Sequence, residues 1–130
     1  MLRQRRDRRT SEVRAAEGVY RETPSHGERL MVVRFRFRQG ARVPPHRHPH
    51  EQSSYLVSGY LRYNIAGREV VLRPGDSLVV PGNAEHSAVA LEDETVDVDS
   101  FTPLQKTSAK AHAFYGWDEA PPLCFPALKL

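Results

Sequence analysis

The chain has little of what stabilises or targets many small proteins. Its 130 residues include one cysteine, Cys124, so no intrachain disulfide can form and no disulfide framework holds the fold. A reducing, cytoplasmic setting is the expectation. No apolar run approaches the roughly 18 residues of a membrane span, so no membrane partner is expected. Lysine is scarce, with 3 Lys against 16 Arg, and helical periodicity is nearly absent. The N-terminus also lacks the apolar stretch that a secretory signal needs.

What is present first is charge, a formal net of +3, which raises the question of a nucleic-acid partner. Residues 1–14 answer it. Arg3, Arg5, Arg6, Arg8, Arg9 and Arg14 stand there against Asp7 and Glu12, which leaves 13 basic and 14 acidic groups for residues 15–130. The excess belongs to an arm, expected to be solvated over residues 1–17, and nucleic acid is not expected as a partner. A short helix over Ser11–Glu17, ended by Gly18, is compatible with the local sequence.

From Leu30 to Arg38 the chain alternates, with Val33, Phe35 and Phe37 on one face and Arg34, Arg36 and Arg38 on the other. This predicts a half-buried strand whose arginine stripe meets solvent or a neighbouring subunit's acids. Further strands are predicted over Ser54–Ile65, Glu69–Leu72, Ser77–Val80, Ser87–Leu91 and Thr95–Phe101. Turn signals separate them: Gly40, Pro44-Pro45, Gly59, Ala66-Gly67, Pro74-Gly75-Asp76 and Pro81-Gly82-Asn83. The expected fold is all-β, a single antiparallel β-barrel or jelly-roll sandwich spanning residues 18–103. Residues 104–130, with Phe114, Tyr115, Trp117 and three prolines, follow neither period and read as an irregular tail over the barrel or a partner subunit.

Four of six histidines fall in two places, His46, His48 and His50 together and His86 after a turn. On an extended chain His46 and His48 point to one side. Gln52 and His86 could reach the same interior point in a small barrel, giving three neutral nitrogens and an amide oxygen, a set that suits a divalent transition ion. A histidine- and proline-rich surface loop explains the same spacing. His26 and His112 are expected to face solvent.

Gly40-x5-His46-Arg47-His48-x3-Gln52-x6-Gly59 resembles the first motif of the cupin superfamily, and Gly75-x5-Pro81 followed by His86 resembles the second. Asn83 replaces a usual Gly and Ala90 a usual Asn; Asn tolerates positive φ, and neither change removes a ligand. The resemblance implies a small single-cupin barrel with His46, His48, Gln52 and His86 as ligands of one divalent metal, zinc first, with nickel, manganese and iron also chemically open. With a neutral amide where many iron oxygenases carry a carboxylate, the site suits Lewis-acid work better than dioxygen chemistry. Asp99-x-Phe101-x-Pro103 resembles a segment of small cupins that act on unsaturated uronates and of cyclase-like cupins, in which the Asp faces the pocket. Asp99 is therefore the candidate catalytic acid or base, and Phe101, Tyr55, Tyr63 and His50 are candidate substrate contacts; Tyr55 and Tyr63 share parity with Val57, Leu61 and Ile65, which favours core packing for both, and His50, among prolines, is expected at the rim. The uronate-acting proteins carry an Arg soon after; Leu104, Gln105 and Lys106 stand here instead, which ranks a polyketide-cyclase-like activity before a sugar-acid isomerase. A redox-neutral enzyme that cyclises, isomerises or dehydrates a small oxygenated molecule, as a homodimer, is the resulting expectation; a dioxygenase and a non-catalytic binding module are the alternatives.

Overall fold

In a computed structural model, described here for residues 12–102, the chain forms ten strands. They are β1 (Val13–Ala16), β2 (Val19–His26), β3 (Met31–Phe37), β4 (Arg42–His46), β5 (Glu51–Ser58), β6 (Leu61–Ile65), β7 (Arg68–Leu72), β8 (Ser77–Val80), β9 (His86–Ala90) and β10 (Thr95–Thr102). Among the described residues there is no helix. Two antiparallel sheets face each other, a larger one ordered β1-β2-β3-β10-β5-β8 and a smaller one ordered β4-β9-β6-β7, the arrangement of a jelly-roll sandwich.

The period-2 pattern decides which side chains enter the core. Met31, Val33, Phe35 and Phe37 of β3 point inward against Leu56, Leu61, Tyr63, Leu72 and Phe101, with the Phe35 and Phe37 rings 6.0 Å apart. Each large apolar side chain buried this way contributes roughly 1.5–3 kcal/mol. The outward arginines are paired within the chain: Arg34 with Glu22, Arg36 with Glu12 and Glu94, and Arg38 with Asp93. Their acids therefore come from β2, from just before β1 and from the β9–β10 turn, and no neighbouring subunit is needed to explain the stripe.

Three local expectations are corrected. Residues 13–16 form strand β1 paired with β2, not a helix, because an edge position beside Val19–Arg21 satisfies the backbone through the ladder. The run expected as one strand over Ser54–Ile65 is two strands, β5 and β6, divided at Gly59, whose φ of +79° turns the chain. Pro44-Pro45, expected to mark a turn, lies inside β4; β4 is an edge strand with a register irregularity between Val43 and His46, the places where a sheet tolerates proline. Residues 1–11 and the C-terminal tail lie outside the described residues.

Candidate metal centre

The irregularity at the two prolines builds one wall of the site. Val43 and His46 are three residues apart, so regular alternation would place them on opposite faces; the bulge turns both inward. His46 is thereby registered directly opposite His86 of β9, their ring centroids 4.1 Å apart. His48 follows after β4, its ring 5.6 Å from that of His46 and 4.9 Å from that of His86. One hinge of the turn before β9 holds this segment in place: Asn83 donates its backbone N–H to the His48 carbonyl at 2.7 Å. Asn83 has a φ of +65°, as its replacement of Gly predicted. Gly82 approaches so closely that a Cβ there would come within 2.6 Å of the Pro49 carbonyl oxygen.

His46, His48 and His86 are buried, with one ring nitrogen of each lying within 4.8 Å of the others. Their remaining nitrogens have fixed partners. His46 Nδ1 lies 2.8 Å from the Pro44 carbonyl, His86 Nδ1 2.9 Å from the Ala84 carbonyl and His48 Nδ1 3.0 Å from the His50 carbonyl. A carbonyl accepts only, so each Nδ1 carries the proton and each Nε2 presents a lone pair. Burial pushes His46 down to about 3 and His48 to about 4, with the neighbouring His86 adding to both, and it also lowers His86. The cluster is neutral at physiological pH, the protonation state a metal requires.

Two observations fit a bound cation. His86 Nε2 is buried without a hydrogen-bond partner among the described residues. His48 Nε2 lies 3.2 Å from Gln52 Oε1. With the ring proton on Nδ1, these are two acceptors facing each other, and moving the proton to Nε2 would only transfer the conflict to the His50 carbonyl. A cation between them removes it: ligand atoms roughly 2.0–2.2 Å from one ion and about 90–110° apart are separated by roughly 2.9–3.5 Å.

The opposite wall comes from the larger sheet. Gln52 and Ser54 of β5 and Asp97, Asp99 and Phe101 of β10 all turn inward, and the register sets Ser54 against Asp99 and Gln52 against Phe101. Gln52 Nε2 donates to Asp99 Oδ2 at 3.0 Å, which fixes the amide so that its oxygen faces the histidines. A glutamate at position 52 would set two carboxylates in contact; the amide both donates to Asp99 and offers an oxygen to a cation. Behind Asp99 the network continues. Ser54 Oγ is 2.8 Å from Asp99 Oδ1 and 2.7 Å from Tyr63 Oη, and Tyr63 Oη is 3.1 Å from Asp97 Oδ2. These three contacts share only two hydroxyl protons, so the third proton belongs to a carboxyl. Burial raises Asp97 to about 6, against the lowering effect of its hydrogen bonds with Asp99 and Tyr63, and burial together with the neighbouring Asp97 raises Asp99 well above the usual carboxylate range.

The expected site residues fall into three places. His46, His48, Gln52, His86 and Asp99 converge. Tyr63 is buried and lines the same pocket, its hydroxyl engaged by Ser54 and Asp97; Phe101 is buried edge-on to His48 with ring centroids 6.0 Å apart. His50, expected near the rim, is fully buried beside His48, and burial lowers it to about 3. Tyr55 is a correction. Expected to share a face with Tyr63, it is 50% exposed on the outer face of the larger sheet, because the turn at Gly59 resets the alternation. Ser54 and Asp97 were not singled out by the sequence, although both keep the inward parity of Gln52 and Asp99. The pocket between the walls is a cavity of about 20 Å³, room for a water or a single ion rather than a whole substrate.

Comparison with known proteins agrees with this fold. The cupin domain family model matches residues 33–100. The pectin degradation protein KdgF of Dickeya dadantii is 33% identical over 88 residues, 67% of this chain and 80% of that protein. The structure of KdgF from Halomonas sp. superposes with a TM-score of 0.70 at 35% identity, covering 72% of this chain and 86% of that one. The polyketide cyclase RemF from Streptomyces resistomycificus, at 20% identity and a TM-score of 0.66 over 79% of this chain and 80% of its own, shares the fold. No helix among the described residues is long and apolar enough to cross a membrane. The chain is a member of the cupin domain family.

Proposed function

We propose that this protein is a metal-dependent enzyme that carries out a redox-neutral isomerisation, ring opening or cyclisation of a small oxygenated substrate, with a sugar acid related to the unsaturated uronates as the first candidate. The observation that carries this reading is the facing of His48 Nε2 and Gln52 Oε1 beside the unpartnered Nε2 of His86, in direct contact with a buried, proton-bearing carboxyl network. Similarity to KdgF at 33–35% identity supports ranking the sugar acid ahead of the polyketide, since RemF at 20% supports the fold alone. The segment in which the uronate-acting proteins carry an Arg, here Leu104 to Lys106, lies outside the described residues.

His46, His48, His86 and Gln52 would hold one divalent transition ion, zinc first, and bound there it would polarise a substrate oxygen. The chain's own residues supply the rest. Asp99, between Gln52 and Ser54, gives or takes the proton that isomerisation and ring opening both move. Burial and the neighbouring Asp97 raise its pKa, which favours the protonated form. Phe101 packs edge-on against His48 and keeps bulk water from that ring. A cavity of about 20 Å³ leaves the body of a substrate at its mouth.

The test is turnover of unsaturated uronates, followed by loss of their conjugated absorbance under air and under anaerobic conditions. Equal rates in both, abolished by chelation and restored by zinc, are expected. Turnover that consumes oxygen and requires Fe(II) would establish a dioxygenase instead.

A further inference from the structure

Tyr63 of β6 and Ser54 of β5 are two buried hydroxyls that meet behind Asp99, each engaged by protein partners. Tyr63 Oη is committed to Ser54 at 2.7 Å and to Asp97 at 3.1 Å, and Ser54 Oγ to Asp99 at 2.8 Å. All four residues are buried, so the hydroxyl and carboxyl groups cannot exchange these partners for bulk water. We propose that Ser54, Tyr63 and Asp97 are positioning residues that act on the metal centre through Asp99, by fixing the amide of Gln52 with its oxygen toward the histidines. This rests on the reading of His46, His48, Gln52 and His86 as metal ligands.

Gln52 is the member of that set whose orientation is not fixed by a nearby backbone carbonyl. Its amide can present either oxygen or nitrogen to the histidines, and only the oxygen can bind a cation. The choice is set chiefly by Asp99 Oδ2, which accepts the Gln52 N–H at 3.0 Å, with a longer contact from the same nitrogen to Ser54 Oγ at 3.5 Å. Asp99 can do so only while its carboxyl plane keeps Oδ1 on Ser54. Ser54 in turn is held from across the sandwich by Tyr63 of β6, and Tyr63 is anchored on Asp97 of β10. The relay joins the two sheets at the level of the site, so losing one hydroxyl frees Asp99 to rotate and Gln52 to flip.

The probe is cobalt(II) alone, titrated into the metal-free full chain, with affinity and the visible ligand-field spectrum as readouts. Tyr63→Phe keeps the ring and removes the hydroxyl; Ser54→Ala removes the next link. Both are expected to weaken cobalt binding by about 10- to 100-fold, the range for outer-shell partners, and to shift the spectrum. Leu61→Val, on the same strand and turned into the same interior, should lose stability yet keep the wild-type affinity and spectrum, which separates positioning from general packing. Wild-type affinity and spectrum in Tyr63→Phe overturn the relay, whether or not Ser54→Ala folds. Failure of the unaltered protein to bind cobalt overturns the metal-site reading and the relay with it.

Discussion

The two walls of the pocket are organised on different length scales. Every histidine of the cluster is oriented by a carbonyl two residues away: His46 by Pro44, His86 by Ala84, His48 by His50. On the opposite wall Gln52, Ser54, Asp97 and Asp99 are oriented by one another and by Tyr63, which reaches across from β6 of the smaller sheet, and partners such as Gln52 and Asp99 are 47 residues apart. The ring orientations on the histidine wall are thus set by local chain geometry, and the β4–β9 pairing brings the rings together. The carboxylate wall exists only once β5, β6 and β10 have come together. The first wall should tolerate loosening of the barrel better than the second, and substitutions in the two should fail in different ways.

The largest expected effect is on the histidine wall. His86→Ala or His46→Ala removes a nitrogen and should weaken zinc binding by more than the roughly 10- to 100-fold typical of outer-shell partners, measured by competition with a chromophoric chelator. Retention of wild-type affinity by both variants would remove the distinction between ligand and supporting wall. Next is Gln52→Glu, which replaces the donor to Asp99 with a second carboxylate. The metal-free protein should lose about 1–3 kcal/mol of stability, and zinc should restore much of it. Melting curves with and without zinc test this, and an equal loss in both would contradict it.

A third prediction concerns pH. The ordinary imidazole value is 6.5, whereas burial takes His46 and His50 to about 3 and His48 to about 4 and also lowers His86. Between these limits the unfolded chain binds protons that the folded chain does not, so the histidines make the metal-free protein less stable as pH falls from about 6.5 toward 3. Asp97 has the opposite sign. Raised from 3.8 to about 6, it makes the folded chain the better proton binder in that interval, so its contribution diminishes as pH rises through about 6, and Asp99 is raised in the same direction. Four imidazoles outweigh two carboxyls, and denaturant titrations should show a net loss of stability between pH 6 and 4. A gain over that interval would mean that the carboxylate wall dominates. The smallest effect is expected from Tyr55→Ser on the outer face, within about 0.5 kcal/mol in stability and with unchanged zinc affinity. A change in affinity would show that Tyr55 reaches the site.

This contrast also explains what could be read from the sequence. The histidine spacing and the Pro81-Gly82-Asn83 turn are short-range patterns, and the strand alternation over Val33, Phe35 and Phe37 is equally local; all three were legible. Tyr55 was misplaced because one glycine, Gly59, divides the run from Ser54 to Ile65 and changes which parity faces inward. Strand β4 was hidden by its prolines, whose tolerance depends on an edge position visible only in the assembled sheet. Ser54 and Asp97 are ordinary residues in sequence, and Asp97 sits in an acidic stretch that reads as solvated. Their roles arise from register across β5, β6 and β10, which alternation alone cannot supply.

The central claim is that His46, His48, His86 and Gln52 enclose one divalent ion. Anomalous diffraction at the zinc absorption edge, from crystals of the full chain grown with zinc, tests it most directly. The account predicts a single strong peak bounded by the three Nε2 atoms and Gln52 Oε1, with Asp99 still accepting the Gln52 N–H. No peak at that position, or a peak with the Gln52 nitrogen turned toward it, would contradict the account.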